Sequence, residues 1–77
     1  MIYCEKLIEF IRPDFEISPS RVFNFTRIQQ VTQIPTAALD EILREWLSDG
    51  YIGDVQFADN VPFDFKITPA GSRTLFH

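Results

Sequence analysis

Histidine and cysteine are almost missing from this chain: His77 and Cys4 are the single representatives of each among 77 residues. One Cys and one His cannot build the ligand cluster a bound zinc needs, so no metal site is expected. A lone Cys also excludes an intrachain disulfide. The only histidine is terminal, and no serine or cysteine has a base at a workable spacing, so the groups for nucleophilic catalysis are wanting. The three glycines form no loop that could cradle a phosphate. Paired carboxylates could exchange protons in principle, but a chain this short offers little pocket to hold them. The expectation is a protein without enzymatic chemistry and without a cofactor.

Long apolar runs are absent too. No stretch approaches the ~18 consecutive apolar residues of a membrane span. Glu5 lies among the first residues and no small-residue cleavage site follows, so a signal peptide is not expected and a cytoplasmic protein is. Positive charge is scarce: seven Lys and Arg face eleven Asp and Glu, giving a net charge of −4. Such a balance favours solubility and repels phosphate and anionic lipid surfaces. What the chain does have is hydrophobic mass, 45% apolar residues with eight Phe and one Trp. Buried rings remove large areas from water, which offsets the unfavourable surface-to-volume ratio of a small domain. One domain over residues 1–77 is expected.

Along the chain, Cys4, Leu7, Ile8 and Ile11 recur at i, i+3, i+4, i+7, one face of a helix from about Ile2 to Arg12. Cys4, on this stripe, reads as a small buried hydrophobe. Tyr3 and Phe10 lie off it, either as a dimer contact or as the flank of a wider core face. Pro13 should end the helix. Residues 14–21 read as a loop, and Val22 to Phe25 as a short strand or a run-in to the next helix. Asn24 suits an N-cap, with Phe23 and Ile28 spaced as a hydrophobic staple. Ile28 and Val31 carry the second helix to about Thr32. A break ending in Pro35 leads to a third helix from Thr36. There Leu39, Ile42, Leu43, Trp46 and Leu47 give the strongest periodic signal in the chain, and Asp49-Gly50 closes it. The period then changes to two: Val55 and Phe57, then Phe63, Phe65 and Ile67, form a hairpin whose tip is Ala58 to Pro62. Thr68 and Pro69 supply the N-cap and first position of a short last helix ending at His77. The fold class expected is α+β.

Helix, helix, turn, helix, hairpin and short helix is the order of a winged helix-turn-helix. Three segments carry the resemblance: Ile28 to Thr36, the run Leu43-Arg44-Glu45-Trp46-Leu47-Ser48-Asp49-Gly50-Tyr51-Ile52, and Ile67-Thr68-Pro69-Ala70-Gly71. Over about Phe23 to Leu75 the chain resembles bacterial and archaeal winged-helix transcription regulators of the multiple-antibiotic-resistance and phenolic-acid types. It departs from them in Gln33, where the turn usually carries Gly, and in Gln29, where a small residue is common. The long helices that make those families dimeric are also missing, although a homodimer remains compatible with the first helix.

The resemblance implies DNA reading by the third helix in the major groove. Thr36, Ala37, Asp40, Glu41 and Arg44 would then face bases, Arg27 a phosphate, and Asp59 and Asn60 at the wing tip the neighbouring backbone. The charges oppose this. Arg27 and Arg44 are cancelled by Asp40 and Glu41, and Asp54, Asp59 and Asp64 outweigh Lys66 by two, whereas duplex affinity draws on neutralised phosphates. Asp40 and Glu41 also have structural readings: acids in a helix's first turn favour its dipole by roughly 0.3–1 kcal/mol each, and Asp40 with Arg44 is an i, i+4 pair. Trp46 sits on the core stripe. Phe57, Phe63 and Phe65 fit a core-facing strand side, or a protein partner if exposed. Three functions follow: a DNA-binding transcriptional regulator, a protein-interaction module that keeps the fold without the DNA, and an acidic mimic of DNA.

Overall fold

The computed structural model describes residues 2–76; His77, the expected end of the last helix, lies outside them. The elements run α1 (Ile2–Ile17), β1 (Phe23–Asn24), α2 (Phe25–Thr32), α3 (Thr36–Ser48), β2 (Ile52–Ala58), β3 (Val61–Ile67) and α4 (Pro69–Leu75). This is a small α+β arrangement in which four helices accompany a three-stranded antiparallel sheet of order β1-β3-β2.

One cluster of buried side chains joins all of these elements except α4 itself, whose following residue Phe76 closes it. Leu7 and Ile11 enter from α1, Ile28 from α2, Leu39, Ile42, Leu43 and Trp46 from α3, and Ile52, Phe65 and Ile67 from the hairpin. Tyr3 and Phe10 are partly buried against the same cluster and so widen the core face of α1. Cys4 is also only partly buried. The apolar stripes end sooner than their periodicity suggests, for Val31 and Leu47 are exposed.

Pro13 does not end α1, which runs on for another turn. An interior Pro forfeits one backbone hydrogen bond and crowds the preceding turn. Contacts downstream hold the helical path. Phe15 packs on Phe76 with ring centroids 5.3 Å apart, Ser18 N donates to the Asp14 carbonyl at 3.0 Å, and Arg12 pairs with Glu16 at 3.7 Å. Pro13 itself is exposed, so water can serve the carbonyl it leaves free.

The link between α2 and α3 is built from the two residues that depart from the regulator pattern. Gln33 adopts the left-handed conformation, φ 63° and ψ 21°, and its N–H donates to the Gln29 carbonyl. The Gln29 side chain spans the turn, with Nε2 donating to the Ile34 carbonyl at 3.2 Å and to Thr36 Oγ1 at 2.8 Å. Buried Thr32 completes the corner, since its hydroxyl donates to the Ile28 carbonyl and accepts from Ile34 N. At the other end of α2, Asn24 caps as expected, accepting from Arg27 N.

The hairpin is tighter and less regular than alternation suggests. Its turn is Asp59-Asn60 alone, with φ 51° and 62°, the left-handed pair that two-residue hairpins require and that Asp and Asn tolerate. At the tip β2 therefore reaches one residue further than expected, to Ala58, and β3 begins two residues earlier, at Val61. Pro62 is accommodated in β3 because β1 reaches only Asp64 and Phe65, leaving β2 as the sole neighbour at that point. Two irregularities interrupt the ladder. Between Gly53↔Lys66 and Gln56↔Asp64 the extra residue is on β2, where Asp54 has φ 50°. Between Gln56↔Asp64 and Phe57↔Pro62 it is Phe63 on β3.

Thr68 caps α4 as read from the sequence, accepting from Gly71 N, with Pro69 in the first turn. Thr68 N in turn donates to the Tyr51 carbonyl at 3.0 Å, fixing α4 against the entry to β2.

Candidate interaction face on the third helix and hairpin

Helix α3 buries Leu39, Ile42, Leu43 and Trp46, which turns the opposite face outward. Thr36, Ala37, Asp40, Glu41 and Arg44 occupy that outward face. All are exposed except Asp40, which is half-buried. No acid lies in the first turn of α3, so the helix dipole accounts for neither Asp40 nor Glu41. Asp40 has a different explanation in Arg44. The Arg44 Nε lies 3.0 Å from each Asp40 carboxylate oxygen.

Arg44 also reaches across to the hairpin. Its Nη2 donates to the Asn60 carbonyl, and its guanidinium carbon stands 5.8 Å from the centre of the Phe57 ring. One side chain thus ties α3 to both the tip and the outer part of β2. Each contact is modest alone: an exposed i, i+4 pair contributes about 0.3–0.5 kcal/mol and an exposed cation–π contact about 0.5–1 kcal/mol. Together they orient the hairpin relative to α3. They also engage two of the five guanidinium donors and set a carboxylate against its charge.

The aromatic residues of the hairpin divide. Phe65 is fully buried and stacks on Phe23 with centroids 5.9 Å apart, so it is core and cannot meet a partner. Phe57 is 52% exposed and Phe63 36%. The bulge in β3 explains Phe63. As the residue without a cross-strand partner it falls out of phase with Phe65 and Ile67, and buried Pro62 takes the inward position instead. Bulges re-aim side chains in this way, often beside functional surfaces. Exposure is continuous from Gln56 through Asn60, so the outer half of β2 and the turn face solvent while Arg44 holds the tip to α3.

Asn60 is joined to the α3 face by Arg44, as the sequence reading grouped them; Arg27 is not. It is exposed and lines a small cleft with Phe10, Asp14, Arg21, Val22, Phe23 and Asn24, whose walls owe nothing to α3 or the hairpin. Among the described residues no ion pair involves Arg27, whereas Arg44, Lys66, Arg12 and Arg21 all have carboxylate partners. Sequence reasoning missed the link from Arg44 to the hairpin and left Phe63 open between core and exposed surface. Only the Asp-Asn pair, as a tight-turn signal, could have hinted that the tip would fold back so closely.

Among the described residues, no group of three or more His, Cys, Asp or Glu is arranged to hold a metal ion, and no helix is long and apolar enough to cross a membrane. No family model, curated protein or solved structure matches the chain.

Proposed function

We propose that this chain is a winged helix-turn-helix module, with α2, the Gln33 turn and α3 as the helix-turn-helix and β2–β3 as the wing, and that it acts without enzymatic chemistry by docking on another protein through the wing. The observation that carries this reading is the exposure of Phe57 and Phe63 on the outer half of the hairpin. Exposed large rings on a small protein cost solvation and mark contact surfaces when they cluster. The matched charge of Arg44 argues the same way, since of Arg27, Arg44 and Lys66 on the supposed DNA-reading surface, two are already paired. Docking by insertion of the hairpin would bury both rings and leave α3 as a shoulder beside the contact.

DNA-binding transcriptional regulation is the second reading. It is favoured by the outward face of α3, where Thr36, Ala37 and Glu41 are free to meet base edges, and by Arg27, which has no acidic partner among the described residues. Backbone NMR of the chain with mixed-sequence duplex DNA at low salt separates the two. Shifts confined to Arg27, Thr36 to Arg44 and Asn60, and reversed by salt, would favour the regulator. The protein-docking reading expects a flat titration. It also expects a discrete protein adduct when photoreactive benzoylphenylalanine replaces Phe57 in the producing cells, and none when it replaces Pro13 on α1. Adducts at neither position, or at both alike, would remove the hairpin as the docking element.

A further inference from the structure

The charge of this protein is segregated. Residues 36–67, which are α3 and the hairpin with their connections, hold seven carboxylates against Arg44 and Lys66, a net −5, while all other residues together carry +1. The whole negative balance of the chain therefore lies on the element pair that carries the exposed rings.

Not all of those carboxylates are free. Asp40 is engaged by Arg44, Asp54 by Lys66 at 3.6 Å, and Asp64 accepts from Asn24 Nδ2 at 2.8 Å. The remainder, Glu41 and Glu45 on α3, Asp49 at its end and Asp59 at the hairpin turn, are exposed, with no ion-pair or hydrogen-bond partner for their carboxylates among the described residues. Glu41 and Glu45 are one helical turn apart, where like charges repel. That repulsion weakens the helix slightly, whereas a partner of opposite charge would relieve it.

Resting on the docking role of the hairpin, we propose that the partner is a protein with a Lys- and Arg-rich surface around an apolar pocket. The hairpin enters the pocket with Phe57 and Phe63, and Glu41, Glu45 and Asp59 face the basic rim. This division of labour is common at protein interfaces: buried rings hold the complex, and peripheral charges select the partner and accelerate encounter. Arg44 fits as a positioning residue. It holds the hairpin tip and Phe57 against the helix that carries Glu41.

Three synthetic peptides test the partner's chemistry on the intact, isotope-labelled chain: a short amphipathic peptide of Lys and Leu, its Glu and Leu counterpart, and a Lys and Ser peptide. The Lys/Leu peptide is expected to shift Gln56 to Asn60, Phe63 and the Glu41–Glu45 face, at least tenfold more tightly than either control. Phe57→Ser should erase that advantage over the Lys/Ser peptide. Glu41→Gln with Glu45→Gln and Asp59→Asn should remove most of the salt dependence. Both sets of positions are exposed, and an unchanged fold is read from the same spectra. Equal binding of the Glu/Leu and Lys/Leu peptides at the hairpin would overturn the basic partner while leaving hairpin docking intact. Shifts by the Lys/Leu peptide spread away from the hairpin, or none at all, would overturn both.

Discussion

Gly71 is where a single methyl group should do most damage. A Cβ built on it would lie 2.1 Å from the Tyr51 carbonyl oxygen and 2.9 Å from the Tyr51 carbonyl carbon, whereas carbon and oxygen normally approach no closer than about 3.3 Å. The obstacle is backbone, so no rotamer change relieves it. The same Tyr51 oxygen accepts from Thr68 N at 3.0 Å, so moving α4 away by more than an ångström breaks that bond and lifts Phe76 from the core. Loss of one hydrogen bond costs about 1 kcal/mol, and overpacking of this kind about 1–3 kcal/mol. Better helix propensity for Ala returns up to about 1 kcal/mol. Gly71→Ala should therefore destabilise the protein by about 2 kcal/mol, or roughly 8–16 °C in Tm for a domain of this size. Urea unfolding followed through buried Trp46 measures it. Gly53→Ala is the control, because its Cβ would meet only Thr68 Cγ2 at 3.4 Å. A Gly71→Ala protein within 0.5 kcal/mol of the parent would refute the reasoning about this contact.

Gln33→Gly should stabilise the protein by about 0.5–1 kcal/mol, because relief of a left-handed non-glycine residue exceeds the added entropy of the unfolded chain; a loss in urea midpoint would show that the Gln33 side chain contributes more than its hydrogen bond to the Gln30 carbonyl suggests. Burial pushes the Cys4 thiol above its ordinary pKa, so the fold favours the protonated form. Its contribution to stability is complete below the unfolded thiol pKa and is lost as pH rises through that value to the folded one. Stability of the parent should fall across this alkaline window relative to Cys4→Ala, and parallel curves for the two proteins would refute it.

The positions of α2, α3 and α4 were legible because their punctuation is local. Asn24, Pro35, Thr68 and Pro69 act through their own backbone or the next turn. The continuation of α1 past Pro13 was not legible, since Phe76, at the opposite end of the chain, supplies the ring on which Phe15 packs. The third strand, β1, lies within the Val22 to Phe25 segment, which the sequence leaves open between a short strand and a run-in to the next helix; pairing with Asp64 and Phe65 decides for the strand. The candidate site divides in the same way. The family resemblance grouped Thr36, Ala37, Asp40, Glu41 and Arg44, and helical spacing predicted the Asp40–Arg44 pair. The fates of Phe57, Phe63 and Phe65 turned on a bulge. Strict alternation gives all of β3's phenylalanines one environment, and one extra residue in the ladder separates them.

That separation bears directly on what the surface is for. A strand whose rings all faced inward would need no bulge at Phe63, and the inward position given to Pro62 offers less apolar area than a phenyl ring would. The bulged arrangement leaves Phe63 exposed, a few residues from a second exposed ring at Phe57. Arg44 contributes in the same sense. Its guanidinium could have been left free to meet a phosphate. Instead it is bound by Asp40 and spans to Asn60, fixing the exposed hairpin rather than adding positive charge to α3. A surface selected for the DNA backbone gains affinity with every unpaired cation; here the central cation is neutralised, its neighbours Glu41 and Glu45 are acidic, and apolar area is held outward. Those three features are independent in the sequence. All three fit the contact proposed above, a protein pocket with basic edges, better than a DNA backbone.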